Sequence, residues 1–281
     1  MPLSGSGAAV SVVIPVWDDY VEFLPDAVAS VRRNSSEAPI IVVDNASSVA
    51  LPDLGGCEVV RSDRRLSVGA ARTLGVERVA TEYVVVLDAD DLLLDGALEF
   101  MRARIASDRR VTVVATSILE GDTGKRHRAP RRFVPPLTRA SRLFALVNSV
   151  WLLLPIQGCA ILRAADLREA GAYPDIEWGD DWVVAVSLAF RGRVEVSERL
   201  GRYYRPTPGS LWRRPRSAGE LSASAASVRE RIRADRGVPG WARLLLPAVA
   251  ALQGGAIYVA RPLYLAARRL RARVRPKRDR T

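Results

Sequence analysis

Histidine and cysteine are almost absent from this chain of 281 residues, which holds one of the first and two of the second. The histidine, His127, sits in the basic stretch Gly121-Asp-Thr-Gly-Lys-Arg-His-Arg. That leaves no Ser-His-Asp triad and no histidine-rich zinc centre, and reads most simply as a solvated loop residue. Cys57 and Cys159 are far apart and form no C-x-x-C, so redox and zinc motifs are excluded. Each is expected as a small buried apolar side chain. The lack of a disulfide framework agrees with a reducing, cytoplasmic setting. The opening Met1-Pro-Leu-Ser-Gly-Ser-Gly has no basic region and no long apolar run, which predicts no signal peptide. Internal repeats are also missing.

What is present fits an ordinary globular protein. The length allows one large α/β domain with an attached subdomain, and 48% hydrophobic with 26% charged residues is usual for a soluble protein. A net charge of +11 invites a nucleic-acid reading. Its location argues against one: residues 261–281 hold nine Arg/Lys and a single acid, Asp279, so +8 sits there and only +3 before it. The tail is a separate feature of a mildly basic body.

Val10-Ser-Val-Val-Ile-Pro, Pro39-Ile-Ile-Val-Val-Asp, Cys57-Glu-Val-Val-Arg, Tyr83-Val-Val-Val-Leu-Asp and Val111-Thr-Val-Val-Ala are β-branched runs expected as buried strands. Helices are expected between them, over 20–33, 67–80 and 95–105. Such alternation predicts a mostly parallel sheet with helices on both faces, followed by C-terminal helices from Ser217 onward. The expected organisation is one α/β domain in two halves, 1–120 and 121–215, and a helical extension with basic tail over 216–281. The basic, proline-containing segment 125–136 reads as a loop. Ligands of such sheets bind beyond the carboxyl ends of the strands, where Asp44 and Asp88 both lie.

Leu87-Asp-Ala-Asp-Asp places carboxylates at alternate positions just past a buried strand. In an extended end, residues i and i+2 face the same way, so Asp88 and Asp90 can share a ligand. Oxygen donors without histidine or cysteine suit Mg²⁺ or Mn²⁺. An acidic turn that caps the following helix is the bland alternative. Further on, Gly179-Asp-Asp-Trp places two acids before a helix running from Trp182 to Phe190, where one of them can cap it.

Taken together these segments resemble the family 2 glycosyltransferases with the GT-A fold. Val12-Val-Ile-Pro-Val-Trp-Asp resembles the opening strand, whose end (Pro15, Val16, Asp18) contacts the nucleotide. Ile40-Ile-Val-Val-Asp-Asn-Ala-Ser resembles the second strand, which implies base binding by Asp44 beside Asn45. Gly69-Ala-Ala-Arg-Thr-Leu-Gly resembles the A-R-N-x-G segment and puts Arg72 near the donor. Leu87-Asp-Ala-Asp-Asp resembles the D-x-D segment, which implies donor contacts from Asp88, Ala89 and Asp90, with Asp90 and Asp88 at Mn²⁺ or Mg²⁺. Gly179-Asp-Asp-Trp resembles G-E-D-W, which makes Asp181 the base and gives Asp180 a cap or an acceptor contact. The match covers about residues 10–215.

Three positions depart from the pattern. Thr73 replaces the usual Asn, Asp180 replaces Glu, and in Tyr204-Arg-Pro-Thr-Pro-Gly-Ser the residue Thr207 stands where relatives carry a histidine. Thr207 is a poorer metal ligand, so the metal site is expected to be weaker or completed by water. Trp178, Trp182 and Trp212 are each readable as an acceptor platform or as plain packing, and Gln157-Gly158 falls where relatives line the acceptor pocket. Arg72 is likewise either a donor partner or an exposed helix arginine.

The resemblance implies an inverting, metal-assisted transfer of a sugar from a nucleotide diphosphate, by family habit UDP, to an acceptor hydroxyl on a sugar, a lipid-linked sugar or a small molecule. Two rivals stand beside it. A haloacid-dehalogenase-like phosphatase would use Asp88 and Asp90, but Leu92 occupies that signature's Thr/Val position and three strands precede the motif. A nucleic-acid-binding protein would use the tail, yet no recognition module is present. The stretch Leu244 to Ala267 is nearly long enough to span a bilayer but is broken by Pro247, Gly254, Gly255, Arg261 and Pro262. An interfacial helix with a basic anchor toward anionic lipid is the preferred expectation, making the enzyme peripheral at the inner face of the membrane. Packing on protein is the other.

Overall fold

The computed structural model of the chain describes residues 10–127, 138, 140–150, 152–154, 156–207 and 216–263. Four β-branched runs form the strands expected of them, β1 (Val10–Val16), β2 (Ile40–Asp44), β3 (Glu58–Arg61) and β4 (Tyr83–Val86). They pair in parallel in the order β3-β2-β1-β4, with Val13 beside both Ile41 and Val86. All of β1, β2 and β4 is buried, as runs without polar alternation require.

Between them pack a 3₁₀ turn (Asp18–Phe23), α1 (Leu24–Asn34) and α2 (Val68–Val76). Ser67 caps α2 by accepting from Ala70 N at 3.1 Å. Gly69 lets α2 approach a later loop, since a Cβ there would lie 1.8 Å from the Pro174 carbonyl oxygen. Beyond β4 come the two-residue strand β5 (Leu92–Leu93), α3 (Ala97–Ala106), β6 (Val111–Glu120) and β7 (Arg126–His127). His127 therefore pairs with Ile118 at the sheet rather than sitting in an open loop.

The second half makes the sheet mixed rather than mostly parallel. After α4 (Ser141–Val150), strand β8 (Ala160–Arg163) runs antiparallel to both β4 and β6. Then follow α5 (Ala164–Glu169), α6 (Asp180–Arg191) and β9 (Arg193–Tyr204). Strand β9 pairs in parallel with β6 and antiparallel with β5. The full order is β3-β2-β1-β4-β8-β6-β9-β5, with β7 beside β6. The charged alternation of Arg193-Val-Glu-Val-Ser-Glu conceals β9 from a search for apolar runs, although Val194, Gly201, Arg202 and Tyr204 along it are buried.

Helices cover both faces. The 3₁₀ turn, α1 and α3 close one core around Ile14, Leu24, Val85 and Met101. On the other face α2, α4, α6 and the C-terminal helices enclose Val13, Phe144, Trp182 and Val228. Helix α6 is apolar nearly all round from Trp182 to Phe190 and is buried throughout that stretch. Helix α7 (Ala218–Ala234) begins at a capping box between Ser217 and Glu220. Helices α8 (Gly240–Leu244) and α9 (Leu246–Gly254) and a π-helical turn (Gly255–Ala260) complete the described chain. Trp212, most of the basic segment 125–136 and the end of the tail lie outside the described residues.

Candidate active site

A cavity of about 550 Å³ lies at the carboxyl ends of β1 and β4, where a parallel array binds ligands. Pro15, Asp88, Ala89 and Asp90 reach it from those strand ends, Arg72 from α2, and Asp180 and Asp181 from the start of α6. Residues more than a hundred positions apart in sequence thus face one space.

Arg72 joins the two acidic groups. Its Nη1 donates to Asp180 Oδ2 and its Nη2 to Asp88 Oδ1, each at 2.6 Å. The residue is only 6% exposed, so it is not an exposed helix arginine. Burial alone would favour its neutral form, but Asp180 and Asp88 hold it firmly protonated. Asp88 is desolvated too, yet Arg72 and Arg202 keep its carboxyl below the usual range. Arg202, delivered by β9, has Nη2 3.5 Å from Asp88 Oδ2, also contacts Asp91, and donates from Nη1 to the Gln157 carbonyl at 2.6 Å. Sequence reasoning missed Arg202, because the strand that carries it was itself not anticipated.

The acid pair after β4 does not continue an extended strand. Asp91 N donates to Asp88 O at 3.0 Å, so Asp88-Ala89-Asp90 is a turn, and both carboxylates reach the cavity by that route. Asp90 Oδ2 accepts from Thr207 Oγ1 at 3.1 Å. Burial, then the neighbouring Asp88 charge, pushes Asp90 up to about 6. Among the described residues no group of three or more His, Cys, Asp or Glu converges. Asp90 and Asp88 are the two carboxylates here that could hold an ion, with phosphate oxygens and water completing it as at many Mg²⁺ sites. Asp90, a carboxylate destabilised by burial and a second negative charge, is the group such an ion would relieve.

At the other end of the cavity, α6 starts one residue earlier than a side-chain cap allows. Gly179 is the N-cap, with φ 86°, so Asp180 is the first helical residue and does not cap. Its carboxylate is taken by Arg72. Asp181, partly exposed into the cavity, is raised to about 7, by burial first and then by Asp180. Of the two acids it is the one not committed to an ion pair.

The remaining expectations divide. Trp178 lines the cavity, with the Arg216 guanidinium 4.1 Å from its ring centroid. Trp182 does not: its indole is buried and donates to Asn148 O at 2.5 Å, so it is a packing residue. Gln157 lines the cavity, and neither atom of its buried amide finds a partner among the described residues. Gly158 is behind the wall; at φ 62° it turns the chain, and a Cβ would press on Arg202 and Leu87 at 3.0 Å.

Asp18, Asp44 and Asn45 also stand apart from the cavity wall. Asp44 ends β2, accepts from Ser47 N at 2.9 Å and pairs with Arg61. Asp18 accepts from Ser48 N and Oγ at 2.6 and 2.7 Å. Asn45 is spent on the Leu66 backbone, donating at 3.0 Å and accepting at 2.8 Å. The Val16 side chain is fully buried, and its carbonyl accepts from Asn45 N at 2.9 Å. Trp17 and Tyr20, 4.8 Å apart edge to face, do line the cavity. Their position directly after the first strand was the available signal.

The sequence model described as Glycosyl transferase family 2 matches residues 11–170. A curated relative, "Succinoglycan biosynthesis protein ExoO" of Rhizobium meliloti (strain 1021), is 26% identical over 220 residues. That alignment takes in 73% of this chain, and the chain spans 62% of the relative's length. Among solved structures, S. aureus TarS 1-349 in complex with UDP-GlcNAc superposes with TM-score 0.68 at 14% identity, covering 88% of this chain and 73% of that one. The same TarS fragment without a named ligand gives 0.61 at 15% identity over 88% and 72%. These likenesses establish the GT-A fold that the motifs implied. The family match runs over more than half of the chain, from β1 through the acids after β4 to α5, and the chain belongs to glycosyl transferase family 2.

Proposed function

We propose that the chain transfers a sugar with inversion from a UDP-sugar to an acceptor hydroxyl, Asp181 serving as general base. The observation that carries this is Arg72. It ties the acid group after β4 to the acid group opening α6 across one cavity, with one arm on each at 2.6 Å. A diphosphate-binding end and a proton-accepting end are thereby fixed relative to each other, as a single displacement needs.

A UDP-sugar is supported by the family and by the UDP-GlcNAc named with TarS. Mn²⁺ or Mg²⁺ held by Asp90 and Asp88 would supply positive charge to the departing diphosphate. Arg72 and Arg202 hold Asp88 in place and add cationic charge at the same end. Trp17 and Tyr20 offer flat faces beside Pro15 for the nucleotide. Gln157 offers a buried amide whose unmet hydrogen bonds a sugar hydroxyl would restore, and Trp178 offers an apolar face for the acceptor ring. Asp181 takes the acceptor proton as the hydroxyl attacks the anomeric carbon. Asp44, Asn45 and Asp18 shape the strand ends around the base from behind.

The test is thermal protection by nucleoside diphosphates with and without Mn²⁺. UDP with Mn²⁺ should raise Tm, and Asp90→Ala should remove the metal-dependent part. Protection by no nucleoside diphosphate would overturn the proposal.

A further inference from the structure

The C-terminal helices carry an outward face that transfer chemistry does not use. Ala242, Leu246, Val249, Gln253 and Ile257 are buried, a spacing of three or four that keeps one stripe of the segment against α7 and α4. From Leu244 to Ala260 there is no charged residue, so the opposite side is apolar as well. Leu244 is 82% exposed, Leu263 65% and Leu252 and Val259 each 60%. A helix apolar all round, half of it facing outward, is matched to a further apolar surface. None of the described helices is long and apolar enough to cross a membrane.

Two observations identify the surface. In sequence, residues 264–281 carry eight Arg/Lys against Asp279 alone. An apolar helical face joined to such a block matches an anionic lipid surface, which takes the side chains into its interfacial zone and the cations at its headgroups. A second copy of the chain would instead bring two such blocks together. In space, Arg261 Nη2 donates to the Arg216 carbonyl at 2.7 Å. Arg216 lies over Trp178, and both line the catalytic cavity. The apolar face is thus tied to the cavity's rim.

We infer that residues 240–263 dock on an anionic bilayer surface and hold the rim of the cavity beside the headgroups. Resting on the transfer reading above, the acceptor hydroxyl then belongs to an amphiphile in that surface.

The test is co-sedimentation of the full chain with vesicles of phosphatidylglycerol and phosphatidylcholine, or of phosphatidylcholine alone, with UDP binding measured on the same samples. Wild type should bind the anionic vesicles preferentially and lose them at high salt. Leu244→Glu with Leu252→Glu should weaken vesicle binding at least about tenfold. So should Gln substitution of Arg268, Arg269, Arg271 and Arg273, outside the described residues, which keeps the test valid if the first variant fails to fold. UDP binding should persist in both. Overturning results are wild type that ignores anionic vesicles, wild type that instead forms a dimer through this face, or variants that bind as wild type does. Loss of UDP binding with vesicle binding intact would count against the catalytic reading alone.

Discussion

Arg72 lies 2.6 Å from Asp180 across an interval of 108 residues, both side chains almost wholly buried. The contact closes the first helix after β3 onto the first turn of α6, and the other arm of the same guanidinium holds Asp88. Removing the cation would leave a buried carboxylate without a partner. Arg72→Met should therefore lower stability by about 3–5 kcal/mol and abolish transfer, read by Tm and turnover. Arg72→Lys, which cannot reach both acids with one planar fork, should fall between.

Asp181 should show itself in two pH profiles. Its carboxyl, raised from 3.8 to about 7, must be ionised to act as a base, so turnover should rise with pH through about 7. The native state holds this proton longer than the unfolded chain does. The group's contribution to stability therefore falls as pH climbs from about 4 to about 7 and is level above that. Asp181→Asn should lose roughly 10²–10⁴-fold in turnover while melting higher than wild type at neutral pH and about equally below pH 4. A variant with wild-type turnover would move the base elsewhere.

At Asp90, raised to about 6, protons should compete with any divalent ion for the carboxylate. Chelation by EDTA should stop transfer and restored Mn²⁺ should recover it. Apparent Mn²⁺ affinity should drop as pH falls through about 6. Asp90→Asn should weaken metal-dependent UDP binding by at least about tenfold; calorimetric titration with UDP checks it.

Arg202 and the fully buried Asp91 form a pair with no solvent to rescue either partner. Arg202→Met or Asp91→Leu alone should each cost about 3–5 kcal/mol in denaturant unfolding. The double variant should recover only part of that loss, because Asp91 is no longer an orphaned charge but Asp88 and the Gln157 carbonyl have lost Arg202, and the coupling energy measures that part.

The two tryptophans flanking the acids should part company. Trp178→Ala should raise acceptor KM with little change in Tm, since the ring lines the cavity. Trp182→Phe should keep acceptor KM and lose about 1 kcal/mol of stability with its bond to Asn148.

The amino-acid sequence determined the strands, because runs such as Val84-Val-Val-Leu can be satisfied only between two covered faces. By placing Asp88, Asp90 and the Asp180-Asp181 pair at strand and helix ends in a familiar order, it made the family legible. It did not distinguish side chains that look alike from spacing alone. Trp178 and Trp182 both border the acids, but the helical turn sends one to the cavity and the other into the core. Asp180 and Asp181 are adjacent, and only the approach of α2 from over a hundred residues away decides which one Arg72 claims. Asp88 and Asp90 share a cavity, as the alternate spacing led one to expect, yet through a turn and not an extended end. Arg202 gave no signal, because its strand alternates charge with apolar residues and only pairing with β6 makes it a strand. Local pattern reports whether a side chain is covered. Which partner covers it, and so which charge is neutralised and which is left ready to react, is set by contacts that exist only once the chain has folded.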